Sequence, residues 1–128
     1  MTLEAIRDRV LYQTANDADD LPDFEPHLSA YINEGYDKLL FAHKRIHAGD
    51  DPEYPILTED SRDNRAPNLP EWTHQAIADY ATWMVYRNGN ALKQQRGMQF
   101  YQAFSEVLAK LKTRSGSGVP LQFTNIYP

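Results

Sequence analysis

The sequence predicts an all-α fold, a small four-helix bundle, and three observations carry that expectation. Apolar residues return at steps of three and four in four separate segments, and residues that start and stop helices stand at the ends of those segments. The two-residue alternation of a strand is confined to Tyr54–Leu57 and the C-terminal stretch. At 128 residues there is room for one core and not for two.

The first helix opens on Thr2 as N-cap and presents Leu3, Ile6, Val10 and Gln13 on one face. The connector from Thr14 to Glu25 holds Asp17, Asp19, Asp20, Asp23, Glu25 and Pro22 with no base, a composition expected of a solvated loop held open by its own charge. The second helix is expected to begin at Pro26 and end near Ala48-Gly49, with Leu28, Ile32, Gly35, Leu39, Ala42 and Ile46 as its seam. Gly35 and Ala42 would admit a close neighbour, and Tyr31, Tyr36 and Leu40 widen the apolar surface so that this helix meets more than one partner.

Between Asp50 and Leu69 lies a long connection with Pro52, Pro55, Pro67 and six acids, which implies either disorder or function. Tyr54, Ile56 and Leu57 give it the apolar content for a short hairpin or a contact with a neighbouring molecule. The third helix is expected to open at Leu69-Pro70-Glu71 and to carry Trp72, Thr73, Ala76, Ile77, Tyr80, Trp83, Met84 and Arg87. Asn88-Gly89-Asn90 then reverses the chain, with Asn90 as N-cap of a fourth helix whose seam is Gly97, Tyr101, Phe104, Leu108 and Leu111, flanked by Phe100 and Val107. Residues 1–113 therefore form a helical domain. Residues 114–128 form a hinge, Ser115-Gly116-Ser117-Gly118, and an extended tail in which Val119, Leu121 and Phe123 alternate with Pro120, Gln122 and Thr124.

Composition excludes several chemistries. With no cysteine there is no disulfide, thiol nucleophile or thiolate metal site. No apolar run approaches the roughly 20 residues of a membrane helix, and the N-terminus lacks a secretory pattern, so a soluble, unexported protein is expected. The net charge of -5 argues against a surface that tracks phosphates. Its distribution is uneven: thirteen acids against five bases from Thr14 to Arg65, and Lys93, Arg96, Lys110, Lys112 and Arg114 against Glu106 alone from Ala91 to Arg114. That asymmetry suits either contact between copies, acidic flank to basic helix, or two solvated faces.

No catalytic or metal constellation stands out. His43 and His47 are four apart, yet Lys44 and Arg45 lie between them and no Glu follows His43, so a zinc pair is not expected. Asp17, Asp19 and Asp23 are spaced like calcium ligands, but Pro22 and Leu28 occupy the positions where such a loop needs Gly and Glu. Asp50-Asp51 and Glu59-Asp60 are weak signals for acid-base work, and phosphate loops, nucleophile elbows and dinucleotide fingerprints are missing. The eight tyrosines are too sparsely interleaved with bases for nucleobase stacking. The expectation is a protein without enzymatic activity, cofactor or metal.

The order of parts resembles the head-tail adaptor, or connector (head-completion), proteins of tailed bacteriophages. The likeness rests on Ile32-Asn33-Glu34-Gly35-Tyr36, Leu69-Pro70-Glu71, Asp79-Tyr80-Ala81, Arg87-Asn88-Gly89-Asn90-Ala91, the helix from Phe100 to Lys112 and the detached tail. The resemblance implies a structural protein of the virion neck, assembled in the host cytoplasm as a homo-oligomeric ring, usually of twelve copies. Such a ring docks beneath the portal protein, contacts the next neck or tail protein, and lets DNA pass through its lumen without sequence-specific binding. It further implies Val119, Leu121, Phe123, Ile126 and Tyr127 as docking residues of the tail, and Tyr54, Ile56 and Leu57 as loop contacts. From the residues alone the competing class is a small helical interaction or regulatory module without a ring.

Overall fold

A computed structural model describes residues 1–46 and 65–116 of the chain. Among them every regular element is helical: α1 (Leu3–Gln13), a 3₁₀ turn (Ala15–Asp20), the single-turn α2 (Leu21–Phe24), a second 3₁₀ turn (Glu25–His27), α3 (Leu28–Ile46), a third 3₁₀ turn (Glu71–Thr73), α4 (His74–Tyr86) and α5 (Ala91–Gly116). The four long helices form a bundle around α4, which packs against α1, α3 and α5. Its sequence explains the central place. Ala76, Ile77, Ala78, Tyr80, Ala81 and Met84 are all buried, so α4 is apolar around most of its circumference, and such a helix needs neighbours on several sides.

The three outer helices each contribute one stripe. Leu3, Ile6 and Val10 of α1 are fully buried; so are Leu28, Ile32 and Leu39 of α3, joined by Tyr36, Leu40 and Ala42. From α5 come Phe104 and Leu111. Close approach is built in at Gly35, where an added Cβ would lie 3.0 Å from both Cβ and Cδ2 of Tyr80 on α4. Gly97 plays the same part for α5, with Tyr86 Cβ 2.9 Å from where its own Cβ would be.

The caps follow the sequence. Thr2 Oγ1 accepts from the Ala5 amide at 3.1 Å, and Asn90 Oδ1 accepts from the Lys93 amide at 3.0 Å, which satisfies donors that the first helical turn leaves open. Asn90→Ala is therefore expected to cost about 1 kcal/mol, read as a lower urea midpoint with an unchanged slope. At the entry to α4, the Met1 ammonium lies 2.7 Å from Nδ1 of the buried His74, while His74 Nε2 lies 2.9 Å from the Leu69 carbonyl. An ammonium can only donate and a carbonyl can only accept, so this imidazole carries its proton on Nε2.

Five expectations are revised. The acidic connector is not an open solvated loop: Ala15 to His27 winds through short helical turns, and Phe24 is buried in the core. Pro26 lies in a 3₁₀ turn, and the α-helix that follows begins at Leu28. The third helix likewise enters through a 3₁₀ turn and ends at Tyr86, where the Gly89 amide donates to the Tyr86 carbonyl to begin the reversal. Tyr101, placed in the α5 seam by periodicity, is 37% exposed. α5 itself runs to Gly116, past the expected boundary at Arg114. The expected hairpin at Tyr54–Leu57 and the tail 117–128 lie outside the described residues.

The end of the long connection is tied down. The Arg65 carbonyl accepts from the Leu3 amide at 2.9 Å, and the buried Tyr36 hydroxyl accepts from the Asn68 amide at 3.1 Å. Arg65 thus closes the first turn of α1.

Candidate functional site

Two arrangements on the body bring together side chains that are far apart in sequence. The first fastens the connector to the α4–α5 hairpin. Tyr86, at the last turn of α4, donates its hydroxyl to Asp17 Oδ2 at 2.5 Å, and Arg96 Nη1 reaches both Asp17 oxygens at 3.0 Å. Next to them Lys93 pairs with Asp20. The phenol hydrogen bond, supported by Arg96, holds the Asp17 carboxyl below the ordinary aspartate range. Burial and the neighbouring carboxylate raise the Tyr86 hydroxyl above its ordinary value, so this phenol stays protonated and remains a donor. Asp20 likewise raises Lys93.

Beside this clasp is an open cleft of about 360 Å³, walled by Phe24, Tyr31 and Met84 on its apolar side and by Asp20, Asp23 and Lys93 on its polar side. Two of the carboxylates that line it, Asp17 and Asp20, are already engaged by Arg96 and Lys93. The cluster therefore works as a strap between connector and hairpin. Tyr86→Phe is expected to destabilise the fold by about 1.5–3 kcal/mol, the range for a hydrogen bond to a charged group, with the lower end favoured because Arg96 still holds Asp17. A melting shift no larger than that of an exposed control would contradict this.

The second arrangement is an aromatic ladder between α4 and α5. The Tyr80 and Phe104 ring centroids are 4.9 Å apart, Tyr80 and Trp83 5.5 Å, and Trp83 and Tyr101 4.6 Å, with tilted planes favourable to aromatic pairs. The inner end is buried; the outer end reaches the surface at Tyr101 and neighbouring Met98, with Arg87 5.9 Å over the Trp83 ring. The Tyr80 hydroxyl donates to Glu34 of α3 and is raised, chiefly by burial. Other large apolar groups at the surface are Tyr12, Phe41 and Leu92.

A separate polar network is internal. Asp79, buried on α4, accepts from Gln13 Nε2 at 2.9 Å and from Gln75 Nε2 at 3.1 Å, and Gln13 Oε1 accepts from Thr82 Oγ1 at 2.7 Å. Burial raises the Asp79 carboxyl. This network joins the end of α1 to the middle of α4.

The sequence-derived docking candidates are not brought together here. Val119, Leu121, Phe123, Ile126 and Tyr127, and Tyr54, Ile56 and Leu57 of the loop, all lie outside the described residues. Of the histidine pair, His43 is half-buried on α3 and His47 is outside. Among the described residues no three His, Cys, Asp or Glu side chains are placed to hold a metal ion, and no helix is long and apolar enough to cross a membrane.

The clasp was not legible in the sequence, because Asp17 and Arg96 stand 79 residues apart. The ladder was half legible. Its residues recur at helical spacing, but which end faces water depends on how α4 and α5 meet. Comparison with family models, with curated proteins and with solved structures finds no match.

Proposed function

We propose that this chain is a structural adaptor of a tailed-phage neck, a ring-forming connector that sits beneath the portal, joins head to tail and leaves a lumen for DNA. In this reading Val119, Leu121, Phe123, Ile126 and Tyr127 form a docking arm for the portal or an adjacent copy, and Tyr54, Ile56 and Leu57 contact a neighbour. The protein is a virion component with no catalytic role. The supporting observation is that, among the described residues, the apolar stripes of α1, α3, α4 and α5 meet in one buried core, a body from which a detached tail can act as an arm. Exposed Phe41, Leu92 and Met98 leave further apolar surface for neighbours.

The test mixes the purified chain with a portal ring and follows co-elution by light scattering, with images of the product. The full chain should add a ring to the portal. A chain lacking Val119–Pro128 should keep its cooperative melting transition and lose that binding. A monomer that leaves the portal unchanged would overturn the reading.

One observation favours a helical interaction module instead. Lys93 and Arg96, two cations expected to be available to an acidic flank of another copy, pair with Asp20 and Asp17 of the same chain. A strictly monomeric protein that captures a single partner helix or peptide would fit that alternative.

A further inference from the structure

The reversal between α4 and α5 is the one place in the chain where an asparagine precedes a glycine, at Asn88-Gly89. Asn88 is exposed, and among the described residues nothing holds its carboxamide. Asn90 is also exposed, but its carboxamide caps α5 by accepting from the Lys93 amide at 3.0 Å, and Ala91 follows it. Position 89 has room only for glycine: an added Cβ would lie 2.7 Å from Cβ of Lys93 and 2.8 Å from its Cδ. A side chain that would shield the Gly89 amide therefore does not fit.

We propose that Asn88 is a self-modification site, at which the Gly89 backbone nitrogen attacks the asparagine side chain and converts it to aspartate or isoaspartate. The Gly89 amide gives its proton to hydroxide, and its nitrogen bonds to Cγ of Asn88. The Cγ–Nδ2 bond breaks, water returns a proton, and ammonia leaves behind a cyclic imide. Water then adds to either ring carbonyl. Opening one way restores the main chain with an aspartate; opening the other way routes the main chain through the side-chain carbon as isoaspartate. The fold restrains this chemistry. The Gly89 amide donates to the Tyr86 carbonyl at 3.1 Å, and the Gly89 carbonyl accepts from Gln94 Nε2 at 3.0 Å. A bonded amide proton is harder to remove, so the reaction waits for local opening of the reversal. The clasp resists that opening, because Tyr86 is tied to Asp17 and Lys93 to Asp20 on either side of it. The product acts back on the same elements. Asn88 and Gly89 line the cleft that already sets Asp17, Asp20 and Asp23 against Lys93, so a carboxylate at position 88 adds repulsion there. The isoaspartate form also lengthens the main chain just ahead of the Asn90 cap. Modification thus loosens the hairpin from the connector, and it needs no partner.

The test incubates the full chain in mildly alkaline buffer, folded and in concentrated urea. Peptide mass analysis in water enriched in heavy oxygen marks each converted asparagine. In urea, Asn88 should convert before Asn90 and before every other asparagine of the chain. In the folded chain it should convert about fivefold more slowly than in urea, the restraint expected of one backbone hydrogen bond. Gln94→Ala, which frees the Gly89 carbonyl, should raise the folded rate and leave the urea rate unchanged. The converted chain, separated by anion exchange, should melt below the fresh one. Equal conversion of Asn88 and Asn90 in urea would overturn the proposal. So would equal Asn88 rates folded and in urea, or a converted chain with an unchanged melting curve.

Discussion

Truncation of Ile77 to alanine is expected to lower the unfolding free energy by about 3–4 kcal/mol, within the range for a large aliphatic side chain removed from a closed core. Ile77 has no exposed surface and sits about one turn into α4, the helix that α1, α3 and α5 all touch. A cavity there has packed neighbours on several sides, and a site that cannot collapse sits high in that range. Against a total stability of about 5–15 kcal/mol for a domain, the loss is large, and the melting temperature should fall by roughly 10 °C or more. Leu92→Ala is the control. Its side chain is 58% exposed at the start of α5, so it should shift stability by no more than about 0.5 kcal/mol. If urea unfolding places the two variants together, α4 is not the centre of the core.

The central role of α4 was legible before the structure only in part. Periodicity identified Leu28, Ile32, Leu39, Ala42, Ile77, Tyr80, Met84, Phe104 and Leu111 as inward, and all are buried, because a repeat of three and four leaves little freedom in which face meets a core. The glycine argument also transferred: a Cβ at Gly35 would lie 3.0 Å from Tyr80, tighter than an ordinary packing contact. The connector was misread for a physical reason. Asp17, Asp19, Asp20 and Asp23 without a local base imply repulsion and solvation, but repulsion is removed when Arg96 and Lys93 arrive from the far end of the chain. Local sequence carries no record of such a meeting. The same limit applies to Tyr101, whose spacing marks it as apolar-facing while the crossing of α4 and α5 decides how much of its ring meets water. It applies again to the polar end of α1. Gln13 continues an apolar repeat, and only the arrival of Asp79 and Thr82 explains why an amide stands there.

Gln13→Leu should therefore destabilise the protein by about 1–3 kcal/mol near neutral pH, and that deficit should shrink as the solution is acidified. Leucine fills a similar volume but withdraws the donor from Asp79 and the acceptor from Thr82. Thr82 keeps its bond to the Ala78 carbonyl at 2.9 Å, so the main loss is felt by the carboxylate, which retains Gln75. Burial raises the folded-state Asp79 above its ordinary value of 3.8, and the Gln13 hydrogen bond opposes that rise. The folded protein thus holds this proton more tightly than the unfolded chain does. Asp79 costs stability above its folded value, and that cost is relieved as pH falls toward 3.8. Removing Gln13 raises the folded value further, so the variant differs most from wild type where Asp79 is ionised and least where it is protonated in both. Asp17 has the opposite sign. Its folded value is depressed, so it stabilises above 3.8 and that contribution is lost below, as pH falls through the folded value. The two carboxylates act on opposite sides of the same reference and can be separated in one pH series. Asp79→Asn, which keeps an acceptor for Gln13 and Gln75 without the charge, should flatten the curve above pH 3.8 and leave the acid limb set by Asp17 intact. A Gln13→Leu deficit that stays constant from pH 8 to pH 4 would show that Asp79 does not feel this amide, and that α1 is held to α4 by its apolar stripe alone.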